Sequence, residues 1–362
     1  MKTLNYLGLI TLTALTLSSC SNDEIVPNTN PQNAIEFGTY LGRDAQTRGT
    51  TLTTSNLTKF GVFAYYTGTA AYTTASFTPN FMYDQLVEWS SANNKWDYAP
   101  AKYWPNNLGD KISFFAYAPH QDSHVAITTS PGEANDPKIN FSIDPVAKNQ
   151  TDLLWSRETN RVKQPVDSKV QFTFQHALSR IAFSVESIID KVNEDGTNTP
   201  DDATNGTSYV DGATTVKVKQ VRLIGDFANA GTLNLNGGEW VNASKSATTY
   251  TLNSGNFVAA VADAVGTLKA QLNNEDSYLM ILPQTTTCKI EVTYDVITTD
   301  AALSGGNSTI TNVITSDAFE FTFGKGNAYN FCLHLGLTSV KFDATVSDWN
   351  EIDGIAVNVP LN

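Results

Sequence analysis

Cys20 is the residue whose surroundings best specify a chemistry. Leu17-Ser18-Ser19-Cys20 fits a lipobox, at which a signal peptidase cuts before the cysteine and the thiol is lipidated. Lys2 supplies a basic start and residues 7–17 an apolar, Thr-rich run, so residues 1–19 have the layout of a lipoprotein signal peptide. That stretch is shorter than a spanning helix of about 20 apolar residues with its flanks. His120 and His124 stand four apart with Asp122 between them, but they follow Pro119 in a loop-like stretch. Helical metal-ligand geometry is not implied there, and no metal site is expected. His176, inside a strand-like run, reads as a packed histidine hydrogen-bonded to backbone. Neither a Gly-x-Ser-x-Gly elbow nor a Gly-x-x-x-x-Gly-Lys-Ser/Thr phosphate loop occurs. A glycosidase needs two facing carboxylates, and no pair can be singled out among 36 Asp plus Glu. No catalytic residue, no enzyme activity and no cofactor is therefore expected.

Composition narrows the partners. The formal net charge is −13, which leaves nothing to neutralise phosphates and excludes nucleic acid as a natural partner. Charged residues make up 16% and hydrophobic residues 41%, with 23 Gly and 13 Pro. Thr, Ser, Asn, Val and Tyr recur throughout, which is the vocabulary of short strands and polar turns. Besides Cys20, only Cys288 and Cys332 are present. They could pair in an oxidising compartment or stay as two buried thiols; spacing alone decides neither.

The elements that must carry any site are strands. Residues 21–34 hold two prolines and no periodicity, as a tether does. Ile35, Phe37 and Leu41 then alternate with polar or small residues as a short strand. Residues 42–55 form a polar break containing Arg43 and Arg48. Strand signals follow at 60–66, 81–87, 96–98 and 112–118, separated by Gly, Pro and Asn clusters, and residues 172–185 form another extended run. Residues 258–268 could be helix or strand. The polar, Gly/Asp-rich stretch 193–214 suits a long surface loop or a domain boundary, and the chain length favours a boundary. Beyond it come strand signals at 216–224, 278–282, 289–294, 318–323, 329–337 and 341–346, with Gly305-Gly306 as hairpin chemistry. Such spacing without helical periodicity predicts an all-β protein of sandwich type.

Several segments, taken in order, resemble the fimbrillin family, the Mfa-like subunits of type V pili. They are the lipobox at Cys20; Phe60-Gly61-Val62-Phe63-Ala64-Tyr65; Phe81-Met82-Tyr83-Asp84-Gln85; Trp96-Asp97-Tyr98-Ala99-Pro100-Ala101-Lys102-Tyr103-Trp104-Pro105; Lys111-Ile112-Ser113-Phe114-Phe115-Ala116-Tyr117-Ala118-Pro119; Phe174-Gln175-His176-Ala177-Leu178-Ser179; and Val346-Ser347-Asp348-Trp349.

The resemblance implies two tandem transthyretin-like β-sandwich domains of antiparallel, Greek-key type. On this chain they would be residues 49–195 and 212–362. It also implies an outer-membrane lipoprotein precursor, an arginine-specific surface protease, and a place in the fimbrium at the cell surface. The cut would remove residues 20–48 with the first strand, falling at Arg48-Gly49, with Arg43 as the runner-up. A strand from another pilin subunit would fill the gap. Ile355, Val357 and Val359 alternate with Ala356, Asn358 and Pro360 after Gly354, the pattern of such a donor strand. Pairing at the edge of their own domain explains them equally well, and stalk, tip or accessory position stays open. Adhesion would bring a host or bacterial surface ligand. The competing expectation is a surface-anchored glycan-binding lipoprotein that does not polymerise, motivated by aromatics such as Tyr98, Tyr103 and Trp104.

Overall fold

β-branched and aromatic residues at alternating positions give this chain strands almost everywhere. The computed structural model describes residues 34–41, 52, 56–73, 76–164, 169–187, 192–193, 209–210, 214–258, 260–261, 270–272, 278–299, 302–336 and 340–348. The all-β expectation is borne out: among the described residues the only helix is a single 3-10 turn, Ala147–Asn149.

One seven-stranded sheet has the order β1 (Phe37–Leu41), β9 (Val170–His176), β8 (Leu154–Arg161), β5 (Lys111–Ala118), β2 (Lys59–Gly68), β3 (Met82–Ser90) and β4 (Lys95–Asp97). A second joins β15 (Trp240–Asn242), β14 (Ala230–Asn234), β7 (Lys138–Ser142) and β6 (Val125–Ile127). A third runs β16 (Ser246–Val258), β13 (Thr214–Phe227), β20 (Gln284–Thr299) and β21 (Asn307–Thr315), with β22 (Phe319–Phe323) also on β20. The fourth runs β17 (Ala260–Val261), β10 (Ser179–Ser187), β23 (Asn327–Leu335) and β24 (Val340–Asp348), with β18 (Ala270–Gln271) and β19 (Leu279–Ile281) also on β10. The short strands β11 (Val192–Asn193) and β12 (Tyr209–Val210) pair with each other. Pairing is mostly antiparallel, but β1 runs parallel to β9, and β10 runs parallel to both β17 and β23.

The extended run at 172–185 is two strands, not one. β9 ends at His176 and β10 begins at Ser179 in a different sheet. The carbonyls of the linking pair explain the break: Ala177 accepts from Trp240 Nε1 at 2.8 Å and Leu178 from the Gly326 N–H at 2.9 Å. Residues 258–268 include strand at Ala260–Val261; positions 259 and 262–268 lie outside the described residues. Gly306 takes the left-handed region at φ 73° in the turn between β20 and β21, as hairpin chemistry requires.

Two apolar cores result. β2 and β5 are buried on both faces: Phe60, Val62, Ile112 and Phe114 face one core, and Phe63, Tyr65, Phe115 and Tyr117 face the other. The smaller core holds Ile35, Phe37, Phe172, Phe174 and Trp104. The larger runs from Phe63 to Ala344 and spans three further sheets. Hydrogen bonds also cross the polar 193–214 stretch, because β7 pairs with β14 and β10 with β23.

Candidate functional site

The seat of β1 is the candidate site. Residues 35–41 alternate, and the structure uses the alternation: Ile35 is 2% and Phe37 3% exposed, while Tyr40 is 48% exposed. Phe37 enters the smaller core stacked on Phe172 at 5.6 Å between ring centroids, with Tyr98 at 5.4 Å and edge contacts to Phe60 and Phe114 at 6.1 and 6.0 Å. Along one edge β1 hydrogen-bonds β9 in the register Phe37 opposite Val170. Along the other, the Ile35 N–H donates to the Lys102 carbonyl at 2.9 Å, and Ala34 bridges Tyr103 just beyond β4. β9 and the segment after β4 belong to opposite ends of the sheet, so β1 draws the two ends together. Closing a sheet on itself removes exposed strand edges.

Tyr98 completes the seat. Its hydroxyl donates to the Ile35 carbonyl at 2.8 Å, and burial pushes its pKa up to about 12, so it remains a protonated donor at neutral pH. Two of the aromatics that motivated a glycan platform are therefore occupied in packing: Tyr98 sits on Phe37, and Trp104, 3% exposed, packs edge-on against Phe114 at 6.0 Å.

Chain-processing chemistry would act just beyond β1, and the nearest described residue there is Leu52. Its N–H donates to Asp152 Oδ2 at 3.0 Å, and the same oxygen lies 2.9 Å from His176 Nδ1. Asp152 is fully buried and His176 is 5% exposed. His176 is thus the packed histidine expected, with the Asp152 carboxylate beside its Nδ1. The other histidines are held by acidic partners too. His120 Nε2 lies 3.3 Å from Asp84 Oδ1, His124 Nδ1 lies 2.6 Å from Asp122 Oδ1, and His334 Nδ1 contacts Glu186. His120 and His124 are therefore tied to separate carboxylates. Neither Cys288 on β20 nor Cys332 on β23 is in a disulfide; both are buried, and burial pushes the Cys288 thiol up to about 12.

The sequence profile described as fimbrillin-like matches residues 47–349. This chain belongs to the fimbrillin-like family. The fimbrium subunit Fim1C of Phocaeicola vulgatus is 29% identical over 395 aligned residues, covering 97% of this chain and 98% of that protein. A fimbrial protein from Bacteroides vulgatus shares the fold, with a TM-score of 0.64 at 20% identity over 88% of this chain and 99% of that one. Fimbrillin-like membership makes this a fimbrial, adhesin-like chain that associates with other pilin subunits at the cell-surface fimbrium.

Against this fimbrillin-like background, the sequence-derived sites divide. Cys20, Arg43, Arg48, Gly49, Ile355, Val357 and Val359 lie outside the described residues. The strand they bracket at the N-terminal side, 35–41, is described and seated. Sequence reasoning missed the partners of that strand, Tyr98, Lys102, Phe172 and Phe174. Burial alternates along Val170–His176 and turns both phenylalanines inward, but nothing local in the sequence assigns them to residue 37.

Proposed function

We propose that this fimbrial chain is a pilus subunit made as a lipoprotein through Cys20, cut by an arginine-specific protease at Arg48-Gly49, and polymerised by strand exchange. The donor would be residues 355–361 of a neighbouring subunit, entering where β1 had been. The observation that supports this reading is the seat of β1: a five-residue strand that closes a sheet, plugs an aromatic pocket and precedes an arginine-containing segment. While tethered, β1 binds its groove intramolecularly at high effective concentration. Once cut, it competes as a free peptide, and a longer or better-fitting strand can displace it. The vacated groove would present Phe172, Phe60 and Phe114 and the unpaired edge of β9, a surface that recruits a complementary strand.

The test incubates purified precursor with an arginine-specific protease and follows size and N-terminus together. The reading expects Gly49 as the new N-terminus, release of residues 20–48 and growth of oligomers. It also expects Arg48→Ala to remain monomeric and a chain lacking residues 355–362 to be cut yet fail to grow. If Arg48→Ala assembles as the native chain does, the maturation step is wrong; if the truncated chain still builds filaments, the donor assignment is wrong. A surface protein whose mature N-terminus is lipidated Cys20 would point instead to the anchored, non-polymerising alternative.

A further inference from the structure

We propose that Glu186, Cys332 and His334 form a binding site for a divalent transition-metal cation, with Zn2+ the ion their donor set suits. The site lies on the face of the β10–β23 pair that points away from the large apolar core. Strand alternation places it there: Phe183 and Val185 of β10, and Phe331, Leu333 and Leu335 of β23, all enter that core. The intervening residues Ser184, Glu186, Cys332 and His334 therefore share the opposite face. In the parallel register Ser184 stands opposite Cys332 and Glu186 opposite His334. Asn330 Nδ2 donates to Ser184 Oγ at 3.0 Å across the same face.

The carboxylate, thiol and imidazole ligand atoms all lie within 4.8 Å of one another. That spread suits three donors around one ion with bonds of about 2.0–2.3 Å. A further observation points to a ligand. Glu186 is 1% exposed, its Oε1 engages His334, and its Oε2 has no hydrogen-bond partner among the described residues. Burying a carboxylate with an idle oxygen is expensive, and a cation removes the penalty. Cys332 is 2% exposed, so a cation held there would be largely shielded from water.

On binding, the Cys332 thiol would give its proton to solvent and its sulfur lone pair to the ion. Three protein donors leave the fourth tetrahedral position to water, with entry past His334, whose side chain is 28% exposed. The ion would staple β10, which precedes the polar 193–214 stretch, to β23, which follows it. This site is independent of strand exchange and stands or falls separately from it.

The experiment titrates the full chain, reduced and freed of metal by chelation, with Co2+ and then Zn2+. The expected result is one equivalent of Co2+ bound with a thiolate-to-cobalt charge-transfer band, bleached as Zn2+ displaces it. The band should survive Cys20→Ser and Cys288→Ala and vanish in Cys332→Ser. Glu186→Gln and His334→Ala should weaken Zn2+ by at least the roughly 10–100-fold that loss of even an outer-shell partner costs. A native chain that shows no charge-transfer band overturns the proposal whatever the variants do. So does a band that persists in Cys332→Ser or disappears with Cys20 or Cys288.

Discussion

Asp84 holds a left-handed backbone, φ 45°, inside β3, a conformation that a non-glycine strand residue adopts only when its surroundings impose it. Those surroundings are three donors: Tyr117 Oη at 2.6 Å, Gln121 Nε2 at 2.8 Å and His120 at 3.3 Å. Gly61, on the adjacent strand, makes room for them, since a Cβ there would overlap the Tyr117 ring and the His120 imidazole. Burial alone would raise the Asp84 carboxyl, but the hydrogen bonds from His120, Tyr117 and Gln121 outweigh it and hold it below 3.8. A folded-state pKa below the unfolded one contributes stability that is complete above about pH 4 and fades as pH falls through the folded value. Asp84→Asn keeps a residue tolerant of positive φ but loses the charge, and should cost about 1–3 kcal/mol at neutral pH. Denaturant unfolding across pH should also show a flatter acid limb for this variant; an unchanged acid limb would clear Asp84 of that role. None of this was legible locally, because Asp84 acquires its role only when Tyr117 and His120 arrive from 33 and 36 positions away.

β1 is an element that the sequence located and the fold explained. Alternation at Ile35 and Phe37 predicted a strand, and a buried face was implicit in it. Parallel pairing with β9 was not, because parallel register joins segments more than 130 residues apart. Truncating Phe37 empties the pocket formed by Phe172, Tyr98, Phe60 and Phe114. Phe37→Ala should therefore destabilise the uncut chain by about 3–5 kcal/mol in equilibrium unfolding. If β1 contributes little to the fold, the loss would stay below about 1 kcal/mol. Tyr98→Phe should cost about 1 kcal/mol by removing the bond to the Ile35 carbonyl. The Tyr98 pKa is raised from 10.0 to about 12, so its contribution is complete below pH 10 and is lost as pH rises towards 12. Limited proteolysis within residues 34–41 should accelerate over that alkaline window in the native chain, and Tyr98→Phe should blunt the change. The run at 172–185 shows the opposite limit of sequence reading: its apolar alternation is real, but the two carbonyls captured by Trp240 and Gly326 divide it between sheets.

The larger core joins residues from Phe63 to Ala344, and β7–β14 and β10–β23 carry hydrogen bonds across the polar 193–214 stretch. Coupling of this extent predicts a single cooperative thermal transition for the uncut chain, with calorimetric and van't Hoff enthalpies in agreement. Phe141, 1% exposed and facing Trp240 at 6.5 Å, sits where β7 meets the later strands. Phe141→Ala should lower that one transition rather than split it; two resolved transitions in either protein would contradict the coupling.

Local chemistry already specified many of the strands, the absence of helical periodicity and the order of aromatic segments that marks the fimbrillin-like family. These follow from side-chain type and period-two alternation, which neighbours along the chain suffice to express. Register, sheet membership and the gathering of distant groups needed the folded chain. Cys332 and His334 were each visible as strand residues, but Glu186 comes to them only through the parallel pairing of β10 with β23. Phe37 likewise becomes a plug only because β9 and the segment after β4 converge on it from opposite ends of one sheet. Long-range pairing is chosen by the burial it achieves over the entire core, and no short window of sequence contains that sum.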